Sequence, residues 1–440
     1  MGEEKRISML VATAVGLGAI IGAGIFVLSG TAIAIAGSYS IIAFLIVGVI
    51  ALMIALQLGE LGSIMPGLKG AGYSYIYKAF GRGPGFVSGI MLYFSYVTGI
   101  AVIALGFGSY LSSSLGISLP AYTIGFAIAL IGILALVNLA GITKAARSDS
   151  VMVMIKIVIL SMFVVFAVVF AMGHSASVWF NFDSLPSQTG VAAVFAASVG
   201  IFFAYTGFQV ISTFIGNVKG GGRAAATALA LSVLISMGLY IMIVISLIFL
   251  VPAARYSLNA DPLSFALKSA NAPNYLFFLV NAGALIATTS AALAFMLGSS
   301  RILYQIGKDG LLPKFFRKYD RERDVPSNAV IISACIGTAM LFSGNIYVIA
   351  AISNFGLILT YILGTFAVVH FRRANANTTF KSPFYPYLQI ACCIGLVALM
   401  IGMPMESWEI GTGIVAGLII AYYVLAKIRN RKRIRTELFG

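Results

Sequence analysis

Long apolar runs recur along the whole chain and constrain its fold more than any other feature. About 20 apolar residues cross the roughly 30 Å of a bilayer's hydrocarbon, and a backbone in lipid must satisfy its own hydrogen bonds. The runs are therefore predicted to be helices, because a barrel would instead show shorter segments of alternating polarity. Twelve runs are found, at 8–35, 39–65, 84–111, 120–140, 150–172, 189–216, 225–250, 275–304, 328–343, 347–371, 386–404 and 407–427.

Composition excludes most other classes of protein. Of the 440 residues, 60% are hydrophobic and 9% are charged, whereas soluble proteins average about 45–50% and about 25%. A soluble enzyme, a disulfide scaffold, a coiled coil and a disordered chain are thereby excluded. Cys335, Cys392 and Cys393 are predicted to be packed or lipid-facing thiols, and His174 and His370 stand alone. Hence neither a metal site nor a cofactor is predicted.

The net charge of +15 is a signal of topology. With twelve spans and the N-terminus inside, the inner segments hold 25 of the 28 Lys and Arg residues and the outer segments hold only Arg255 and Lys268. This asymmetry predicts a multi-pass protein of the cell membrane with both termini cytoplasmic. It also argues against nucleic acid as a partner. The basic stretch at 427–435 is expected to lie against anionic membrane lipid.

Two of the predicted helices are interrupted near their middle. The first contains a glycine-rich stretch at 18–26, and the sixth contains Thr206, Gly207 and Gln209 in apolar surroundings. Each stretch alone is open to a second interpretation, which is close helix packing. Together, at corresponding positions of two halves, they favour broken helices of an inverted-repeat transporter, whose freed N–H and C=O groups suit a zwitterion.

Lys156 lies inside the fifth run, where an ionisable residue is costly. One interpretation is that its ammonium snorkels to the inner surface. The other is a functional lysine that loads and releases a proton, because burial disfavours its charged form.

Five motifs in this order give the chain a resemblance to the amino acid–polyamine–organocation superfamily of secondary transporters. They lie at 18–26, 57–66, 69–81, 202–208 and 300–316. The resemblance implies an all-α polytopic membrane protein of twelve transmembrane helices, with a five-plus-five inverted repeat and broken helices 1 and 6. It divides the chain into a first repeat at 1–172, a second repeat at 189–371, two additional helices at 386–427 and a basic cytoplasmic tail at 428–440.

The resemblance also implies site residues. Backbone N–H groups of Gly22, Ala23 and Gly24 would hold the substrate carboxylate. The substrate ammonium would be bound by the carbonyls of Ile20, Phe203 and Thr206. Phe203 would also be an aromatic gate over the substrate, with ordinary helix packing as the alternative interpretation.

For coupling, the resemblance aligns Lys156 with a lysine of proton-coupled members, where the ammonium stands in for a sodium ion. Thr289 and Ser290 would be the sodium-site equivalents on helix 8, unless their hydroxyls simply bond the preceding turn. Glu60 is expected to form an inner-gate ion pair, with Lys69 or Lys78 as its partner.

The predicted function is secondary active transport of amino acids by alternating access. No Asp or Glu lies in runs 1, 3, 6, 8 or 10, which favours a neutral L-amino acid as substrate, symported with protons. An amino acid or amine exchanger without net proton coupling is the alternative. A channel or a polytopic membrane enzyme is less favoured, since the sequence offers neither a repeated filter nor a cluster of catalytic residues. The oligomeric state is left open.

Overall fold

The computed structural model describes residues 7–66, 71–117, 119–141, 149–173, 191–209, 211, 215, 218–258, 260–320, 322–323 and 325–439. These ranges contain fifteen α-helices. In chain order they are α1 (Met9–Ile20), α2 (Ala23–Ala36), α3 (Ser40–Ile64), α4 (Ala71–Phe80), α5 (Arg82–Leu115), α6 (Pro120–Leu139), α7 (Asp149–Gly173), α8 (Val191–Tyr205), α9 (Gly221–Leu250), α10 (Pro262–Ser269), α11 (Asn274–Lys308), α12 (Ser327–Met340), α13 (Ile346–Arg373), α14 (Tyr387–Ile401) and α15 (Met405–Phe439).

The helices carry the hydropathy of a polytopic membrane protein. Eight stretches are long and apolar enough to cross a bilayer, and α1, α8, α12 and α14 are shorter apolar helices. Each predicted run corresponds to one of these helices, except that the first run is divided between α1 and α2. The prediction of an all-helical membrane protein is therefore confirmed.

Three helical features were not predicted. The short helices α4 and α10 lie in segments interpreted as connections, because neither has a long apolar run. Helix α15 continues to Phe439, so nearly all of the predicted tail at 428–440 extends a helix instead. Lys and Arg are good helix formers, and nothing in that stretch breaks the helix.

The longest helices form the centre of the molecule and define its two faces. Helix α5 packs against both α11 and α13, α3 packs along α9, and α2 packs along α8. At one end of α13, Arg372 contacts Glu60 of α3, and we call this end the Glu60 face. At the other end, Ile346 lines a cavity together with Asp261, and we call this end the Asp261 face.

Candidate functional site

The first interruption lies between α1 and α2, at Ile21 and Gly22. The Ile21 N–H still donates to the Leu17 carbonyl at 2.7 Å, and the Gly22 N–H turns back to the Ile20 carbonyl at 2.7 Å. Helix α2 then begins at Ala23 with Gly22 as its N-cap. The N–H groups of a helix's first turn have no partner within the helix, so those of Ala23 and Gly24 are available to an anion.

The second interruption follows α8. Thr206 and Gly207 form a turn in which Gly207 has φ +128°, a conformation that favours glycine. The Phe203 carbonyl accepts from both the N–H and the hydroxyl of Thr206, at 3.1 and 2.7 Å. The Gly207 N–H donates to the side-chain oxygen of Gln209 at 2.8 Å. The backbone of this turn is therefore stabilised by hydrogen bonds among its own residues.

The two interruptions contact each other. A Cβ atom on Gly207 would overlap the Ala19 carbonyl, and one on Gly24 would overlap the backbone of Ala204. The Tyr240 hydroxyl of α9 lies between them, 2.7 Å from the Ile20 carbonyl oxygen and 3.1 Å from that of Ala204. Glycine is thus needed where the broken helices meet, and one tyrosine joins both.

Two of the predicted ammonium ligands already accept hydrogen bonds in this conformation. The Ile20 carbonyl accepts from Tyr240 and from the Gly22 N–H, and the Phe203 carbonyl accepts twice from Thr206. A carbonyl oxygen has two lone pairs, so both are filled. An incoming ammonium would have to displace one of these donors.

An aromatic row lies beside the interruptions. The buried Phe203 ring lies 5.9 Å from that of Phe295 on α11, which lies 5.0 Å from that of Tyr96 on α5. The Tyr96 hydroxyl accepts a hydrogen bond from the Gln209 amide at 3.1 Å. A cavity of about 90 Å³ adjoins this row, lined by Val15, Gly18, Ala19, Tyr96, Gly207, Gln209, Ser290, Ala291, Ala294 and Phe295.

Lys156 is fully buried beside this cavity, with 1% of its surface exposed. Its ammonium donates to the Ser290 hydroxyl at 2.8 Å and lies 3.5 Å from the Gly18 carbonyl oxygen. The side chain on α7 therefore connects α1 to α11 and does not snorkel to the surface. Ser290 also donates to the Ala287 carbonyl at 3.0 Å. Thr289, the neighbour of Ser290 in sequence, is half-buried.

Glu60 forms an ion pair, but with a residue that the sequence did not indicate. Its carboxylate accepts from Arg372 Nε at 2.6 Å and Nη2 at 2.8 Å. The N–H and hydroxyl of Ser382 donate to the same carboxylate at 2.8 and 2.6 Å. The expected partner Lys69 lies outside the described residues. The expectation of Lys78 is wrong, because the end of α13 brings a bidentate guanidinium to the carboxylate instead.

A second group of polar contacts lies at the Glu60 face. Tyr73 of α4 donates to the Asp309 carboxylate at 2.7 Å, and Gln305 donates to it at 3.0 Å. Burial, and next the hydrogen bond to Asp309, raise the pKa of the Tyr73 phenol, which therefore stays protonated and a donor.

Sequence reasoning missed Tyr240, Arg372 and Ser382. Tyr240 is one of five hydroxyl-bearing residues in the apolar run 225–250, so its polarity alone did not distinguish it. Arg372 is one of two adjacent arginines at a helix end, where a basic residue is ordinary. Their importance comes from tertiary contacts that no local pattern contains.

Apolar helices that are interrupted at mid-length and contact each other beside a buried lysine have the architecture of a multi-pass membrane transporter. A family model described as amino acid permease matches residues 7–425, so the chain belongs to the amino acid permease family of the amino acid–polyamine–organocation superfamily. It is thus a transporter and not an enzyme.

Individual relatives are similar along most of their length. A branched-chain amino acid permease of Bacillus subtilis is 27% identical over 411 residues, which cover 88% of this chain and 86% of the relative. A methylthioribose transporter of the same organism is 26% identical, with 92% and 89% covered. The vacuolar cationic amino acid transporter 2 of Arabidopsis thaliana is 28% identical, with 91% and 64% covered.

Proposed function

We propose that this chain is a proton-coupled symporter of neutral L-amino acids in the cell membrane, working by alternating access. The proposal comprises twelve spans, with five-plus-five inverted repeats at 1–172 and 189–371, two further helices at 386–427 and cytoplasmic termini. The Glu60 face is then the cytoplasmic face. The family match and the charge asymmetry support this arrangement.

The substrate's charged ends are bound by backbone. N–H groups at Gly22, Ala23 and Gly24 hold the carboxylate, for which the Gly22 N–H leaves the Ile20 carbonyl. The positive end of α2 adds to the attraction. Carbonyls of Ile20, Phe203 and Thr206 take the ammonium. Because Tyr240 donates to the Ile20 carbonyl, its hydroxyl yields when the ammonium arrives.

The substrate's side chain is neutral and small to medium in size. No Asp or Glu lies in the five runs that contribute to the site, so a cationic side chain finds no counter-charge there. The adjoining cavity of about 90 Å³ favours a short side chain. Phe203 covers the substrate as its aromatic gate. Among the relatives, the branched-chain permease agrees with a neutral substrate.

Proton coupling rests on one observation, the contact of Lys156 with both Gly18 and Ser290. The protonated ammonium attracts the Gly18 carbonyl next to the first interruption. Loss of its proton weakens that attraction and releases α1 from α11. A fixed positive charge repels a sodium ion. Ser290, with Thr289 beside it, therefore binds the lysine ammonium in place of sodium. The Glu60–Arg372 pair acts as an inner gate that closes the cytoplasmic end.

The test is uptake of radiolabelled alanine by purified protein in proteoliposomes. An inward pH gradient or an inward sodium gradient is imposed on wild type and on Lys156→Met, which keeps the bulk of the side chain. We expect the pH gradient alone to drive accumulation in wild type, and Lys156→Met to lose that accumulation. Lys308→Met is the matched control, because Lys308 is exposed at the end of α11 and should couple normally.

Two results contradict proton symport. Accumulation driven by sodium, and retained in Lys156→Met, makes Lys156 a structural lysine. If neither gradient changes the rate of uptake, but amino acid inside the proteoliposomes accelerates it, the protein is an exchanger. Preference for arginine over alanine contradicts the neutral substrate.

A further inference from the structure

A second polar cavity opens at the Asp261 face, far from the interruptions. Its volume is about 630 Å³. It lies among the end of α5, the start of α6, the segment before α10 and the start of α13. The polar side chains in its wall belong to Ser109, Ser112, Ser113, Thr123, Asp261, Lys268 and Asn345.

Opposite charges are held one helical turn apart in this wall. Asp261, just before α10, accepts from the Ser109 hydroxyl at 3.0 Å. Lys268, in the last turn of α10, donates to the Ser113 carbonyl at 3.1 Å and hydroxyl at 2.9 Å. Ser109 and Ser113 are four residues apart on α5, which is about 6 Å along the helix. Asp261 at the N-cap of α10 and Lys268 in its last turn are thereby both bound to the end of α5.

Asp261 is incompletely compensated by its neighbours. Burial raises the pKa of its carboxyl, while hydrogen bonds from Ser109 and Ser113 and the charge of Lys268 lower it by less. An ammonium that donates to this carboxylate would offset part of the cost of burial, provided that a negative charge also faces Lys268. Lys268 is exposed, and its ammonium also lies 4.8 Å from the centre of the Phe277 ring.

We propose that this cavity is a second binding site for a free amino acid zwitterion, with its ammonium on Asp261 and its carboxylate on Lys268. This inference rests on the proposed function, since the ligand is the transported substrate. A lone cation at Asp261 is repelled by Lys268, and a lone anion at Lys268 is repelled by Asp261. A molecule that carries both charges on neighbouring atoms satisfies both residues at once.

The two sites can be occupied together. Ser109 is thirteen residues beyond Tyr96 on α5, so about 20 Å separates this cavity from the aromatic row. An amino acid held at the Asp261 face thus does not block the interruptions. The same pairing of charges occurs in an ethanolamine lipid headgroup, which is the other source of this ligand chemistry.

Equilibrium binding of radiolabelled alanine to purified protein tests the site. We expect two alanines per chain in wild type and one in Asp261→Asn or Lys268→Gln. Arg255→Gln is the control, because Arg255 is an exposed cation on the same segment outside the cavity wall, and it should keep two. Gly24→Val, which fills the space between the broken helices, should also bind one alanine. The double variant of Gly24→Val with Asp261→Asn should bind none.

The outcomes separate this inference from the transport proposal. One alanine in both wild type and Asp261→Asn overturns the second site and leaves transport at the interruptions standing. One alanine in wild type that Asp261→Asn removes, without any uptake, keeps the cavity and overturns the proposed function. If Gly24→Val fails to fold, the second site is still tested by whether Asp261→Asn lowers the number of bound alanines per chain from two to one.

Reconstitution distinguishes the two ligand sources. The binding is repeated in bilayers with and without phosphatidylethanolamine. We expect two alanines per chain in both. A second alanine that binds only without the ethanolamine lipid would overturn the assignment to a free amino acid.

Discussion

At the scale of single residues, Tyr240 connects the two interrupted helices through one hydroxyl. A phenol has one proton, yet two carbonyl oxygens, those of Ile20 and Ala204, lie within its reach. The hydroxyl therefore holds both helix ends while remaining free to favour either. This suits the role proposed above, in which the hydroxyl releases one carbonyl to the substrate ammonium.

Replacing Tyr240 with Phe should impair both stability and transport. The substitution removes the Tyr240 hydroxyl from two buried carbonyls, and loss of such a hydrogen bond costs about 1–3 kcal/mol. We expect a lower melting temperature and at least a tenfold loss of alanine uptake. Tyr256→Phe is the control, because the buried Tyr256 also donates to one carbonyl, that of Leu247 at 2.7 Å, but outside the interruptions. A similar loss of uptake in both variants would make the Tyr240 effect merely structural.

Residues differ in how far the sequence alone can reveal them. Lys156 could be predicted because a charge in an apolar run is conspicuous, and the structure places it beside Gly18 and Ser290. The partner of Glu60 could not be predicted, because Arg372 lies more than 300 residues away in sequence and contacts Glu60 only through tertiary packing.

At the scale of elements, the approach of α2 to α8 depends on Gly24. A Cβ atom at this position would overlap the Ala204 backbone, whereas one at Gly238 on α9 would enter open space. Gly24→Ala must push the helices apart, and such overpacking costs about 1–3 kcal/mol. We expect thermal unfolding to show Gly24→Ala destabilised and Gly238→Ala equal to wild type or better, since alanine favours helix. Equal stability of the two variants would refute close packing at Gly24.

Helix α3 is fastened to the end of α13 by the Glu60–Arg372 pair. The Glu60 side chain is fully buried, so removing its charge leaves Arg372 without its partner, which costs about 3–5 kcal/mol in buried pairs. We expect Glu60→Gln and Arg372→Gln each to lower the unfolding free energy in mixed micelles, and the double variant to lower it by less than their sum.

The exposed Asp320–Arg323 pair provides a control for this experiment. Its atoms are 3.9 Å apart, and both side chains face solvent. Asp320→Asn should change the unfolding free energy by less than about 0.5 kcal/mol. Strict additivity of the Glu60 and Arg372 variants would show that the pair does not fasten the two helices.

Elements were predictable in proportion to their apolar length. Long apolar runs such as that of α9 are recognisable as helices, because a continuous run in lipid must satisfy its own backbone hydrogen bonds. Helix α10 has eight residues and sits between spans, so its hydropathy resembles that of a loop. Yet Asp261 at its N-cap and Lys268 in its last turn lie in the wall of the second cavity, which sequence reasoning therefore did not predict.

At the scale of the whole molecule, the placement of basic residues predicts the orientation in the membrane. The Glu60 face receives the ends of α11 and α13, including Lys308, Arg372 and Arg373. The Asp261 face carries Arg255 and Lys268. Since positive charge is retained in the cytoplasm, the Glu60 face should be inside.

Cysteine labelling of intact cells tests this orientation. The free cysteines Cys335, Cys392 and Cys393 are first replaced, and single cysteines are then introduced at Arg255 or Lys308, both of which are exposed. A membrane-impermeant maleimide should label Arg255→Cys in intact cells, and Lys308→Cys only after the membrane is opened. The reverse pattern would invert the topology, and with it the assignment of Glu60 and Arg372 to the cytoplasmic gate. Such an inversion would leave the meeting of the two interruptions, and hence the central site, unchanged, because that geometry does not depend on which side faces the cell.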